Sequence, residues 1–337
     1  MTNWNKETIK RQIDYLNDIK FDEPIKKEEL SILKNMKKTS SLKRKQKEIM
    51  KTEEIEYEKL KNIEDLINSI IEKYNNKDIT IYPYHNIYTR EKDMLNFVKE
   101  MLKRINPDWL KNIEFYLNNK DFININNNNE NFTIFLRYIH QIYVSLNMEN
   151  TIEDFITPIH EFMHVNTIVM NPNFYFTIEN EIPSILMQLI TSYEMKEMHL
   201  HYRENVKAEL NYFNYIKELI NRLNTRLTLI RKNIPNNIKL GYYYYNGYNN
   251  KEIKTLYNYD ITTMLSTVIA YFIAIELFEI YKNDKHVCID LIEYIIKGDE
   301  NLKNKLNNIQ LKPLTNDDSY IKQLKKEYIG SMKSGVK

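Results

Sequence analysis

Apolar residues recur every three to four positions through Val206, Leu210, Phe213, Ile216, Ile220, Leu223, Leu227 and Ile230, which predicts an amphipathic helix that Pro235 ends. A shorter pattern of the same kind, Met94, Phe97, Val98, Met101 and Leu102, runs to Pro107, and Pro83 separates it from what precedes. The texture changes between residues 122 and 147. There FININ and FTIFLRYIHQIYVSL are rich in β-branched and aromatic residues and flank the polar run Asn126 to Asn131, so a small sheet is expected. Further helices are expected around residues 160–164, from about Glu181, and from about Ile261 after a Tyr-rich stretch, Gly241 to Tyr259. The apolar run between Asp260 and Glu276 is about 15 residues long, short of the ~18 to 20 that crossing hydrocarbon needs, and reads as a buried core helix.

Composition sharpens this to a mainly α-helical globular protein. Gly (5) and Pro (8) are too scarce in 337 residues for the many turns of an all-β fold. Residues 1–75 are highly charged and are read as a helical N-terminal region, with residues 76–337 as the main domain. The first region carries a basic block at Lys37, Lys38, Lys43, Arg44, Lys45 and Lys47, then an acidic one from Glu53 to Asp65. Such blocks coat solvated helix faces, and a net charge of +2 provides no global field to recruit nucleic acid or an anionic membrane. Neither is expected as a partner. One cysteine, Cys288, cannot form an internal disulfide and is expected to be buried and inert; the first residues hold no apolar run, and a cytoplasmic setting follows as the expectation.

The chemistry concentrates in His160-Glu161-Phe162-Met163-His164. Residues i and i+4 share a helix face, so both imidazoles can reach one Zn²⁺ at ~2.0 to 2.1 Å. The intervening Glu161 then lies beside the ion, where it can take a proton from water. Pro158 leaves two readings of the helix: a start at Pro158 capped by Thr157, or a longer helix from Thr151 that contains the proline. Both keep the histidines on one face. A third ligand is needed, and Glu179 and Glu181 are the nearest carboxylates downstream.

These segments resemble the oligoendopeptidase F and thimet-oligopeptidase family of zinc peptidases over roughly residues 80–325. The strand Tyr143-Val144-Ser145-Leu146-Asn147, the run NTIEDFITPIHEFMH, and Glu181-Ile182-Pro183-Ser184 carry the likeness, with IDLIEYIIKGDENLKNKLNNIQL matching the family's closing helix, Gly turn and helix. The resemblance implies His160, His164 and Glu181 as zinc ligands, Glu161 as general base, and peptides as substrates. It also implies an abridged N-terminal lobe and a cleft walled by the small sheet. Donor tyrosines for the oxyanion are expected in the Tyr-rich segment, with Tyr257 and Tyr259 as candidates ahead of the tyrosines of 242–248. Four departures stand out: Met163 where the family has Gly, Gln188 where it has a ligand-orienting Glu, a shorter connection from His164 to Glu181, and no histidine between Gly241 and Tyr259.

The expectation is therefore a zinc-dependent endopeptidase for short peptides. A processing peptidase for one precursor and a silent peptide-binding homologue are the alternatives. His140, in the strand-like IHQIYV, is expected to be structural, and the sequence fixes no oligomeric state.

Overall fold

The structure, a computed structural model, describes residues 5–18, 24–38, 63–75, 78–127, 130–174, 177–257, 259–298 and 300–334. The basic residues of 43–47 and the acidic ones of 53–58 lie outside the described residues. The chain is mainly helical with one small sheet. In chain order come α1 (Lys6–Asp18), α2 (Pro24–Lys38), α3 (Glu64–Tyr74), α4 (Glu91–Ile105) and α5 (Pro107–Asn118). Strands β1 (Ile123–Asn126), β2 (Phe132–Leu136) and β3 (Gln141–Asn147) follow. The remaining helices are α6 (Glu153–Met170), α7 (Ile178–Glu197), α8 (Tyr202–Arg231), α9 (Asn236–Tyr245), α10 (Asn250–Leu256), α11 (Ile261–Asn283), α12 (Lys285–Lys297), α13 (Leu302–Asn308) and α14 (Asp317–Ser334).

Helices α6, α7 and α11 are apolar on nearly every side and lie at the centre, packed on one another. The sequence count stopped α11 at Glu276, but the helix continues to Asn283; its 23 residues pass the length test for a membrane span, and 89% of its apolar window is buried in the protein. Glu276 does not end it because its carboxylate turns to the backbone N–H groups of Thr315 and Asn316, 2.8 Å each.

The sheet has order β1-β3-β2, with β1 parallel and β2 antiparallel to the central β3. Alternation divides its two faces. Phe135, Ile142, Val144 and Leu146 join the main core with α6, while Ile134, Leu136 and Tyr143 meet Ile9, Leu16, Leu33 and Met36 of α1 and α2 in a second core. The turn from β2 to β3, residues 137–140, has no Gly, Pro, Asn or Asp. His140 takes the left-handed conformation there (φ 48°), and the Glu29 carboxylate of α2 accepts the Tyr138 N–H at 2.5 Å.

Contacts cross the division at residue 75. Ile67, Ile70 and Tyr74 of α3 belong to the main core, the Tyr74 ring stacks on Phe272 at 5.1 Å, and Lys73 pairs with Asp317 at 2.8 Å. The extended segment 78–90 lies along α8, whose side chains replace a strand partner. Asn211 bonds both the N–H and the carbonyl of Tyr82 at 2.8 Å, Lys207 donates to the Pro83 carbonyl at 2.8 Å, and Glu204 accepts the His85 N–H at 2.9 Å. Positions 204, 207 and 211 fall on one helix face, which is why one helix can hold an extended chain this way.

Candidate metal centre and active site

Helix α6 contains Pro158, so the longer of the two sequence readings holds. The proline sits at the sixth helical position, where the hydrogen bond it omits would have gone to Asp154. Asp154 has other work: its carboxylate accepts the Glu149 and Asn150 N–H groups at 2.8 and 2.9 Å, closing the turn that leads from β3 into the helix. Helix α7 begins at Ile178, three residues earlier than expected, and also carries a proline, Pro183, at its sixth position. Glu181 stands in the first turn of the helix, facing α6.

The two helices bring His160, His164 and Glu181 together, with one ligand atom from each within 4.8 Å of the others. The imidazole Nε2 atoms stand 3.0 Å apart; Glu181 Oε2 is 3.9 Å from His160 Nε2, and Oε1 is 3.7 Å from His164 Nε2. Donors bound at ~2.0 to 2.2 Å around a tetrahedral ion stand about 3.3 to 3.6 Å from one another, so this triangle is the right size for zinc.

The outer ring atoms decide what the inner ones offer. Ser184 Oγ donates to the Asn180 carbonyl at 3.1 Å and lies 3.0 Å from His164 Nδ1. His160 Nδ1 is buried beside the Gln188 amide and the Ser184 carbonyl, with neither in full hydrogen-bond geometry. Acceptors on the outer side favour protonated Nδ1 in both rings and leave both Nε2 lone pairs pointing inward. Burial, with His164 alongside, holds the His160 ring well below the usual imidazole range, and burial also raises the Glu181 carboxyl. Two imidazoles and a carboxylate thus converge, and the donor set fits a divalent metal.

Glu161 points to the neighbouring side, toward the sheet. Thr133 of β2, on the face turned to α6, donates to Glu161 Oε2 at 2.8 Å and lies 3.0 Å from its backbone carbonyl. Burial pushes the Glu161 carboxyl up to about 7; His164 and the Thr133 hydroxyl pull it down, and Glu181 adds to the rise. A cation among the ligands would lower it further.

The tyrosines fall in two places. Tyr257 is 2% exposed, its hydroxyl is 3.0 Å from that of Tyr243, and the Arg226 guanidinium lies 4.6 Å above its ring, all in a small core apart from the ligand helices. Tyr259 is 43% exposed and neighbours Tyr215 of α8, whose hydroxyl is pushed far up by burial, by Tyr259 and, more weakly, by Glu181. Tyr212, one turn earlier, also feels Glu181. Sequence reasoning singled out neither Tyr212 nor Tyr215, nor the hydroxyl partners Thr133 and Ser184. Met163 is fully buried in the main core rather than in the space before the ligands, and His140 is an exposed turn residue. Cys288 is buried, with its thiol pushed up to about 12 by burial.

Comparison with solved structures defines the class to which this fold belongs. The chain resembles a Bacillus anthracis protein described as an oligoendopeptidase F at 13% identity and a TM-score of 0.50, covering 98% of this chain and 62% of that one. It resembles PZ peptidase A, solved with an inhibitor, at 10% identity and a TM-score of 0.53 over 96% and 64% of the two chains. A peptidase structure from Chlamydophila abortus gives 12%, 0.51, 96% and 60%. The fold is that of the oligoendopeptidases, and the chain spans about three-fifths of the length of these structures. No family model and no curated protein matches the chain.

Proposed function

We propose that this protein is a zinc-dependent endopeptidase acting on short peptides. The observation that carries the reading is the buried convergence of His160, His164 and Glu181 next to an independently held carboxylate, Glu161. When bound, zinc supplies Lewis acidity, polarising a carbonyl and making water acidic near neutral pH.

The rest falls to the chain's own groups. Thr133 fixes Glu161 through Oε2, which leaves Oε1 to take the proton of the attacking water and later pass it to the leaving nitrogen. Among the described residues β2 pairs with β3 alone, so its other edge can add an extended substrate strand next to Glu161. A substrate bound there runs past the base and the ligands together. Tyr259, 43% exposed and beside Tyr215, is the better placed of the two sequence candidates to donate to the developing oxyanion, since Tyr257 is closed in a separate core.

The test is a peptide-library digest read by mass spectrometry, with zinc, with chelator, and after zinc is restored. Internal cleavage that disappears with the chelator and returns with zinc is the expected result. Cleavage indifferent to the chelator, or none in the zinc-loaded protein, would overturn the reading.

A further inference from the structure

We infer that Ser184 is a positioning residue that fixes the ring tautomer of His164 and so prepares its Nε2 for the metal; this rests on the zinc reading above. The Asn180 carbonyl can only accept, whereas the His164 ring nitrogen can donate or accept, and this asymmetry points the hydroxyl's hydrogen toward the carbonyl. A serine has one hydrogen to give, and Ser184 gives it to the Asn180 carbonyl at 3.1 Å, one turn back along α7. Toward His164 Nδ1, at 3.0 Å, it can then act only as an acceptor, so the ring's hydrogen belongs on Nδ1. Nε2 keeps its lone pair and faces Glu181 and His160.

The arrangement is built into the fold. Ser184 is fully buried, stands three residues after the ligand Glu181 on the same helix, and its backbone carbonyl lies beside the other ligand ring at His160 Nδ1. One residue therefore touches the outer side of both histidines, while its own helix supplies the third ligand. A serine is the economical choice, because a carboxylate at this depth would need a second cation. Its hydroxyl can be oriented by a main-chain carbonyl that is always present. The adjacent Pro183 leaves the Glu179 carbonyl without its helical donor, but the carbonyl that orients Ser184 is the next one, that of Asn180.

Two measurements test this. In metal-free wild-type protein at mildly alkaline pH, 15N imidazole shifts should show His164 protonated on Nδ1. Ser184→Ala should move the ring toward the Nε2-protonated form and weaken zinc binding about 10- to 100-fold, read by competition with a chromophoric chelator. Ser184→Thr, which keeps the hydroxyl, should retain the wild-type tautomer. A wild-type His164 protonated on Nε2, or a Ser184→Ala protein that binds zinc as tightly as wild type, would overturn the assignment. The tautomer measurement decides the role of Ser184 even if the wild type takes up no zinc, an outcome that sinks the peptidase reading by itself.

Discussion

Two polar clusters share helix α7 and differ in one respect. At the C-terminal end of α7, Lys196 Nζ meets Glu209 Oε1 at 2.8 Å and Glu327 Oε2 at 3.1 Å, while Ser192 and Tyr320 also bond Glu209 and Gln323 bonds Glu327. One ammonium stands between two carboxylates there. Near the N-terminal end, Glu181 faces two imidazole nitrogens, and among the described residues no Lys or Arg pairs with it. Burial perturbs both clusters, so perturbation alone does not separate structure from function. What separates them is whether the chain itself supplies the compensating charge. The first cluster locks α14 to the core; the second gathers its groups from α6 and α7 around one point.

The widest gap between the clusters should appear in metal content. Wild-type protein is expected to carry one zinc per chain and His164→Ala none, with peptidase activity lost below detection. Lys196→Met should bind zinc normally. Elemental analysis of the purified folded proteins checks this, and equal zinc in wild type and His164→Ala would break the comparison. Within the ligand cluster, Glu161→Gln should keep its zinc and lose about 10² to 10⁴-fold in kcat, since an amide cannot accept the proton. Retained turnover in the zinc-loaded variant would assign the base elsewhere.

The locked cluster makes the reverse prediction. Lys196→Met strands the buried Glu209 carboxylate and the half-buried Glu327 and should cost about 3 to 5 kcal/mol of stability, seen as a lower urea midpoint, with kcat per folded molecule unchanged. An unchanged midpoint would mean that Ser192, Tyr320 and Gln323 already satisfy the carboxylates.

How much of this was legible in the sequence follows the range of the interaction involved. The spacing of His160 and His164 is local, so the shared face could be read directly, and so could the sheet from the β-branched runs around Val144. The turn at 137–140 could not, because its stabilising group, Glu29, sits on a helix more than a hundred residues earlier. Thr133 escaped notice for the same reason, and Ser184 was read only as part of a matching segment with no role: each acquires one only through a partner on another element. The start of α7 was placed three residues late because Ile178 opens the helix with no side-chain cap to announce it. Residues 78–90 show no strand or helix pattern because α8 holds the backbone of 78–85 and Asn150 that of Ile87 and Thr89.

The smallest expected effect concerns the tyrosines and divides the Tyr-rich segment itself. If Tyr259 donates to the oxyanion, Tyr259→Phe should lower kcat and kcat/KM together by roughly 10² to 10³-fold, with KM nearly unchanged. Tyr257 stands two residues earlier, but its hydroxyl is already engaged with Tyr243 in a closed core and its ring lies under Arg226. Removing that hydroxyl leaves the ring, its packing and the cation above it in place. Tyr257→Phe should therefore cost only about 0.5 to 1.5 kcal/mol of stability, the net worth of one hydrogen bond, and leave steady-state kinetics at wild-type values. A double variant with Tyr243→Phe separates packing from bonding, because the second substitution should add little once the first has removed the pair. If Tyr257→Phe instead lowers kcat while the protein stays fully folded, the small core around Tyr243 must open toward the ligands during turnover. The boundary between structural and functional tyrosines would then fall on the other side of residue 257.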